Sequence, residues 1–532
     1  MPHWFQPFLP VAALLVTLWL AYWSIRHGSW VSDDIAGIAT FDGKLQHPVS
    51  WGKLFRWVRW QVGKIPNSNH RWKEDKQPPY QQSSDIHHRL NLYLASGLIV
   101  FFYSFLCRIT SPTTAFLTAL LFAVHPLGCQ TIGWISGVGY LTGTFFMLAG
   151  LNIIFLIQDG HWMGTPMGVL LSLLTYTFFQ WMAVEAWFGT VGAVLILLWL
   201  RHYPFAIIAG GFAIYQCFHT FKEALDLRRK IFKEQQMGQS TMFYPRKLIV
   251  VLKTLYYNLK LTLFPKRMGL YHTFCYHYEM PYVEYEDWYA WAGLAVAGAL
   301  GFGIWHGPPM VSLSCLWFIS FMGLFLNWIT ANQFVVDRYA WLPAAGMSLL
   351  VAAYLPLWAY WMVVGISLMR LWSHHYTYQD EFFFYHSNLL NFPESEVAWG
   401  NLGVSYLQRG MIGSAMDAWM EGIRRNKEYD VCWYNLSSAL RQRGPLNPNY
   451  APLFYQMFPQ PQIQEMFQKD PMRSHLYLAR HCLDQSLKAK TCHFPEPWKK
   501  ELLDLDRELS RAPGSPPVIA KLIRPLLTPA LT

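Results

Sequence analysis

The chain is short of charge. Asp, Glu, Lys and Arg make up 14% of its 532 residues, against about a quarter in soluble globular proteins. The deficit is uneven. Residues 8–25 and most of 92–372 are apolar runs broken by short polar gaps, whereas 373–532 has ordinary soluble composition. That excludes a single soluble body and predicts a polytopic membrane domain, 1–372, followed by a soluble domain, 373–532. Acids are scarcer than bases, with a formal net charge of +10. In a polytopic chain this points to basic loops against anionic lipid, not to nucleic acid. Cysteine is sparse: eight are scattered, at 107, 129, 217, 275, 315, 432, 482 and 492. No CxxC or Cys/His spacing suggests zinc. Cys482 and Cys492 could pair if their domain lies in an oxidising compartment. The first apolar run, FLPVAALLVTLWLAYWSI, lacks a cationic leader and a small-residue cleavage site. It reads as a retained span, not a removed signal.

About 20 apolar residues cross a bilayer. The candidate spans are 8–25, 92–109, 113–128, 134–157, 166–185, 187–200, 204–218, 249–265, 288–305, 310–328, 340–355 and 357–372. Two are weak: 204–218 is short, and 249–265 contains Lys253 and Lys260. The basic stretch with Arg228, Arg229, Lys230 and Lys233 belongs in the cytoplasm by the positive-inside tendency. If 204–218 does not cross, about eleven spans remain. The first loop, 26–91, the acidic loop with Glu279, Glu284, Glu286 and Asp287, and the C-terminal domain then face outward. The ten Lys or Arg in 26–91 run against this topology, although long loops obey the charge rule poorly. The expected setting is a bacterial inner membrane or endoplasmic reticulum, with the C-terminal domain extracytoplasmic.

That domain carries a repeat. Trp399, Leu402, Gly403, Tyr406, Gly410, Ala415 and Trp419 form one unit, and Trp433, Leu436 and Gly444 begin a second, 34 residues on. This is the tetratricopeptide period, in which each unit is a pair of antiparallel helices. The clear repeats cover 396–445, and helices in 451–511 are expected to complete or cap the stack before a Pro-rich tail. Trp399, Tyr406 and Trp433 are the candidate residues of a repeat groove.

Four polar stretches interrupt the apolar pattern. In SDDIAGIATF, Asp33 and Asp34 are either a helix cap or a general base with its supporting acid at a membrane-edge cavity. A carboxylate pair can also hold Mg²⁺ or Mn²⁺. In SSDIHHRLNLYLA, His88 and Asn91 stand about one turn apart, either at an interfacial helix end or facing substrate. In LLFAVHPLGCQ, His125–Pro126 ends a helix and Gln130 follows. In NQFVVDRYAWLPAAG, Arg338 is either an interfacial anchor or a donor to a lipid phosphate.

In order along the chain these are an acid pair in the first loop, H-x-L-N, L-F-A-x-H-P, K-L-x-L-F-P (Lys260–Pro265), R-Y-x-W-L-P and tetratricopeptide repeats. The series resembles the transmembrane and tetratricopeptide-repeat (TMTC-type) O-mannosyltransferases and their prokaryotic relatives, within the GT-C glycosyltransferases. The resemblance covers roughly 8–445. It implies an all-α GT-C bundle that moves a sugar, mannose in the best-known members, from a polyprenyl-phosphate donor to a protein Ser or Thr hydroxyl, with inversion. By similarity Asp33 is the base, Asp34 its support, and Arg338 and His88 hold the donor phosphate. His125, Gln130 and Asn91 complete the implied substrate site. Outward-facing repeats would hold an acceptor polypeptide. The chain departs from the family at Gln130, at Val138-Gly139-Tyr140 and at Val184-Glu185, where members carry an acid, R-x-D and Lys-Glu. Two other readings stand beside this one: a lipid-linked sugar transporter or flippase, and a non-catalytic scaffold whose repeats recruit a partner.

Overall fold

The computed structural model describes residues 8–29, 31, 78–158, 187–211, 213–215, 245–270, 272, 288–326, 335–443, 461, 465, 471–489 and 495–510. Among these, every regular element is helical, so the all-α class holds. The described residues divide into two compact units, one ending at Phe384 and one starting at Tyr385.

The first unit is built from α1 (Phe8–Ala21), α2 (Pro78–Ile109), α3 (Pro112–Ala123), α4 (Val138–Gln158), α5 (Trp187–Trp199), α6 (Pro245–Leu263), α7 (Trp288–His306), α8 (Pro309–Met322), α9 (Asp337–Tyr354) and α10 (Leu357–His374). Proline punctuates it. Pro112 and Pro309 occupy first-turn positions, and Pro356 precedes α10, where a missing N–H costs nothing. Ser111 caps α3 by accepting the Thr114 N–H at 3.1 Å. Helix α2 packs on α4, α6 on α7, α8 on α9, and α3 on α9. Helix α7 turns Trp291, Phe302 and Trp305 outward, at 72%, 68% and 84% exposure. A lipid-solvated surface has that composition.

The expectation of about eleven spans is corrected. Among the described residues three helices are long and apolar enough to cross a membrane: Ser84–Ile109, Val138–Phe155 and Trp288–His306. The apolar runs are there, but proline and the polar motifs cut them. Helix α3 has 12 residues, which at 1.5 Å each reach about 18 Å, well short of a ~30 Å hydrocarbon core. The expected span 113–128 stops at Ala123, because His125 and Pro126 lead into a π-turn, Cys129–Gly133. The expected span 166–185 lies outside the described residues.

The second unit contains α11 (Glu381–Asn391, which begins just before its boundary), α12 (Glu396–Gln408), α13 (Ile412–Arg425), α14 (Asp430–Arg443), α15 (Ser474–Lys488) and α16 (Pro495–Leu509). Helix α12 pairs with α13, α14 with α15, and α16 closes on α15. Tyr434, Leu476, Leu483, Trp498 and Leu505 form a core there, with Tyr434 stacked on Trp498 at 4.7 Å. The repeat is visible in its hydrogen bonds. Trp399 Nε1 donates to Pro393 O and Trp433 Nε1 donates to Lys427 O, each at 2.9 Å. The two bonds are the same bond, one repeat apart. Gly403 lets α12 approach α13, since a Cβ there would collide with the Trp419 indole. Trp419 in turn donates to Gly400 O at 2.8 Å. Cys482 is a buried free thiol, while Cys492, with which it could pair in an oxidising compartment, lies outside the described residues.

Candidate functional site

Three of the four polar stretches, those with Asn91, Gln130 and Arg338, meet inside the first unit around Trp134. The π-turn and the short helix after it, Ile135–Gly137, present Trp134 in extended backbone between them. Such a turn leaves carbonyls without helical partners. Asn91, fully buried on α2, donates from Nδ2 to Ile132 O and Trp134 O, each at 3.1 Å. On the other side of the turn, Gln130 Oε1 accepts the backbone N–H of Arg338 at 2.7 Å. Gln130 thus satisfies one of the open amides at the start of α9. Its own Nε2 has no partner among the described residues.

The Arg338 guanidinium lies over three rings: Trp134 at 5.2 Å, Tyr339 at 5.2 Å and Tyr140 at 5.9 Å. Phe325 stacks on Tyr339 at 4.3 Å and holds that wall upright. Each face can add about 0.5–2 kcal/mol to holding the cation, more as water leaves. The rings fix the charge without neutralising it.

Trp134 also reaches the N-terminal segment. Its Nε1 donates to Val31 O at 3.2 Å. Ser29 N donates to Gln379 O at 2.9 Å, and His88 Nε2 lies 3.4 Å from Ser29 O. Gly28 sits so close to His88 that a Cβ there would come within 2.8 Å of Nε2. The segment that ends two residues before Asp33 is therefore gripped from α2, from Trp134 and from the chain after α10. Asp33 and Asp34 themselves lie outside the described residues. His125 is buried, and its Nε2 meets Thr262 O at 3.0 Å, which ties L-F-A-x-H-P to K-L-x-L-F-P.

The expected residues Asn91, Gln130 and Arg338 are thus joined through one π-turn, with His88 on the neighbouring backbone. His125 serves a different junction, between the π-turn's leading end and the end of α6. Trp399 and Trp433 spend their indole N–H groups on backbone carbonyls within their own repeats, and Tyr406 is half-buried on α12.

Sequence reasoning missed a second polar chain. Asp337, at the start of α9, accepts the Gly269 N–H at 2.8 Å through Oδ2, and its Oδ1 lies 2.8 Å from His272 Nε2. His272 Nδ1 lies 3.1 Å from Tyr257 Oη on α6. The side chains of His272 and Asp337 are 0% and 2% exposed. Lys253, one turn before Tyr257, is also buried. The only signal was an acid directly before Arg338.

In the second unit, Glu396 opens α12 and is buried. Burial pushes its carboxyl up to about 7, against the pull of a hydrogen bond from Asn426 Nδ2 at 2.9 Å. Among the described residues no three His, Cys, Asp or Glu side chains gather as a metal site. The divalent-ion reading rests on Asp33 and Asp34 alone.

No family model, curated protein or solved structure matches this chain.

Proposed function

We propose that this protein is an integral-membrane, GT-C-type inverting glycosyltransferase. It moves a sugar, mannose first among the candidates, from a polyprenyl-phosphate donor to a hydroxyl acceptor, a protein Ser or Thr, on the extracytoplasmic face. One observation carries the reading. A single indole, Trp134, hydrogen-bonds the backbone just before the acid pair and lies under the Arg338 guanidinium. Transfer from a lipid phosphate needs a base near the acceptor hydroxyl and fixed positive charge near the leaving oxygens. In this reading Asp33 takes the proton and Asp34 supports it. Arg338, with His88 beside the acid-bearing segment, holds the phosphate. Gln130 and Tyr140 stand where the resembling family has acids, and the Arg338 guanidinium lies over the Tyr140 ring at 5.9 Å.

The test uses purified protein in nanodiscs, radiolabelled polyprenyl-phosphate mannose and a Ser/Thr-rich acceptor mixture. Wild type should label the acceptor, and Asp33→Asn should not, at equal abundance and folding. Transfer retained by Asp33→Asn removes that residue as base. If wild type is inert with mannose and with other lipid-linked sugars, the acid pair is a helix cap and the repeats point to a scaffold.

A further inference from the structure

We infer that Arg26 and Arg89 form a clamp for a lipid-borne phosphate at the bilayer edge of the first unit. The clamp is independent of the proposed sugar transfer.

Helix α1 and the turn after it run antiparallel to α2. Trp19 Nε1 donates to Ser96 Oγ at 3.0 Å, and the Trp19 and Tyr93 rings lie 5.4 Å apart. Further along, His27 Nδ1 lies 3.0 Å from Asp85 Oδ2. Asp85, Arg89 and Tyr93 follow one another at single-turn spacing on one face of α2. Asp85 meets His27 and Tyr93 meets Trp19, so Arg89 stands level with Trp23, midway between them.

Trp23–His27 is a 3₁₀ turn, in which side chains three residues apart eclipse. Arg26 accordingly lies over the Trp23 ring, its guanidinium carbon 3.3 Å from the ring centre. The ring covers one face of the guanidinium plane. The N–H edge, which is the part that matches an oxyanion, is left for another partner. Arg26 Nε is buried and has no hydrogen-bond partner among the described residues. Among the described residues neither Arg26 nor Arg89 is ion-paired. Asp85, the acid one turn from Arg89, is turned to His27 instead. Arg89 is exposed and Arg26 half-buried. Two arginines thus flank one indole, with no carboxylate of their own among the described residues.

Their depth fits a phosphate. The helix Ser84–Ile109 is long and apolar enough to cross a membrane. Its stretch 90–107, between Arg89 and Arg108, spans about 27 Å at 1.5 Å per residue, close to a ~30 Å hydrocarbon core. Arg89 then stands at the boundary where headgroup phosphates begin. Val16, Leu20 and Trp23 are exposed along one face of the N-terminal segment, and Tyr93 is exposed on α2 beside it. A lipid tail can lie along that face while its phosphate meets Arg26 and Arg89. A diacyl phospholipid and a polyprenyl phosphate share this chemistry.

Native mass spectrometry of the full chain in detergent tests the clamp, with phosphatidylglycerol, a polyprenyl phosphate and diacylglycerol added in turn. Wild type should retain one phosphate-bearing lipid and should release diacylglycerol. Arg26→Gln and Arg89→Gln should each weaken retention by about 10-fold, as the loss of a charge-assisted pair does. Arg108→Gln, at the far end of the same apolar stretch, should leave it unchanged. Arg89 is exposed, so its substitution tests the clamp even if Arg26→Gln disturbs folding. Tighter retention of phosphatidylglycerol would assign a bilayer phospholipid to the clamp, and tighter retention of the polyprenyl phosphate would assign a prenyl lipid. Wild-type retention in Arg89→Gln, an equal loss in Arg108→Gln, or diacylglycerol held as well as the phosphate lipids overturns the clamp, whatever the outcome of the transfer assay.

Discussion

Gln130 shows how a neutral residue does structural work that a sequence scan assigns to substrate. Its carbonyl caps the amide of Arg338 across 208 residues of chain, so its first duty is to start α9 in the right place. Glu396 shows the reverse: an acid whose burial sets a measurable pH response. Its carboxyl titrates near 7 in the folded chain and near 4.3 when unfolded. The folded state therefore binds the extra proton between those values, and the stability it contributes is present below about pH 4 and lost as pH rises through 7. The expected loss is on the order of 3 kcal/mol. Hydrogen exchange of the 396–408 amides, corrected for intrinsic rates, should show protection falling from pH 5 to pH 8. Glu396→Gln should flatten that slope, and a slope that survives the substitution would exclude this residue as its source. Asn91, Gln130 and Arg338 were legible as candidates because each is a polar residue in an apolar run. Tyr257 and His272 were not, since tyrosine and histidine are common in the aromatic stretches around them.

Helix ends proved more legible than helix roles. The start of α3, the start of α8 and the break before α10 all follow from proline, whose chemistry acts within one turn. The 34-residue repeat was readable for a similar reason: it recurs as local spacing, and the Trp399 and Trp433 hydrogen bonds reproduce it. Crossing length was not readable from hydropathy. The run 113–128 is mostly apolar, yet its helix ends at Ala123 and its last residues lead into the π-turn Cys129–Gly133. Helix pairing turns on single small residues. Gly403→Val should push α13 off α12 at Trp419 and cost about 1–3 kcal/mol, as overpacked cores do. Chemical denaturation followed by tryptophan fluorescence measures this. Gly413→Ala, where a Cβ meets nothing within 4 Å, serves as the control, and equal effects of the two would refute the packing argument.

The molecule pairs an apolar helical unit with a repeat unit of soluble composition. Three of its described helices can cross a bilayer, which agrees with a membrane setting. In the proposed enzyme the repeats hold an extended acceptor. Removing 380–532 should then weaken transfer to long Ser/Thr-rich acceptors while leaving short peptides unaffected, read as the ratio of kcat/KM for the two. An unchanged ratio would make the repeats a structural cover.

Composition, the apolar runs and the 34-residue spacing were enough to establish a helical chain with an apolar part and a repeat part. These are local properties, carried by residues within a few turns of one another. How many helices reach across a membrane depended on where the polar motifs bend the backbone. The grip of Trp134 on Val31 and Arg338, and the line from Tyr257 through His272 to Asp337, join residues that are 103, 204, 15 and 65 positions apart. Most of those separations far exceed the period of any helix, and no local pattern encodes a hydrogen bond between them. Folding alone brings the partners together, because a buried amide, carboxylate or imidazole must find a partner once water is gone.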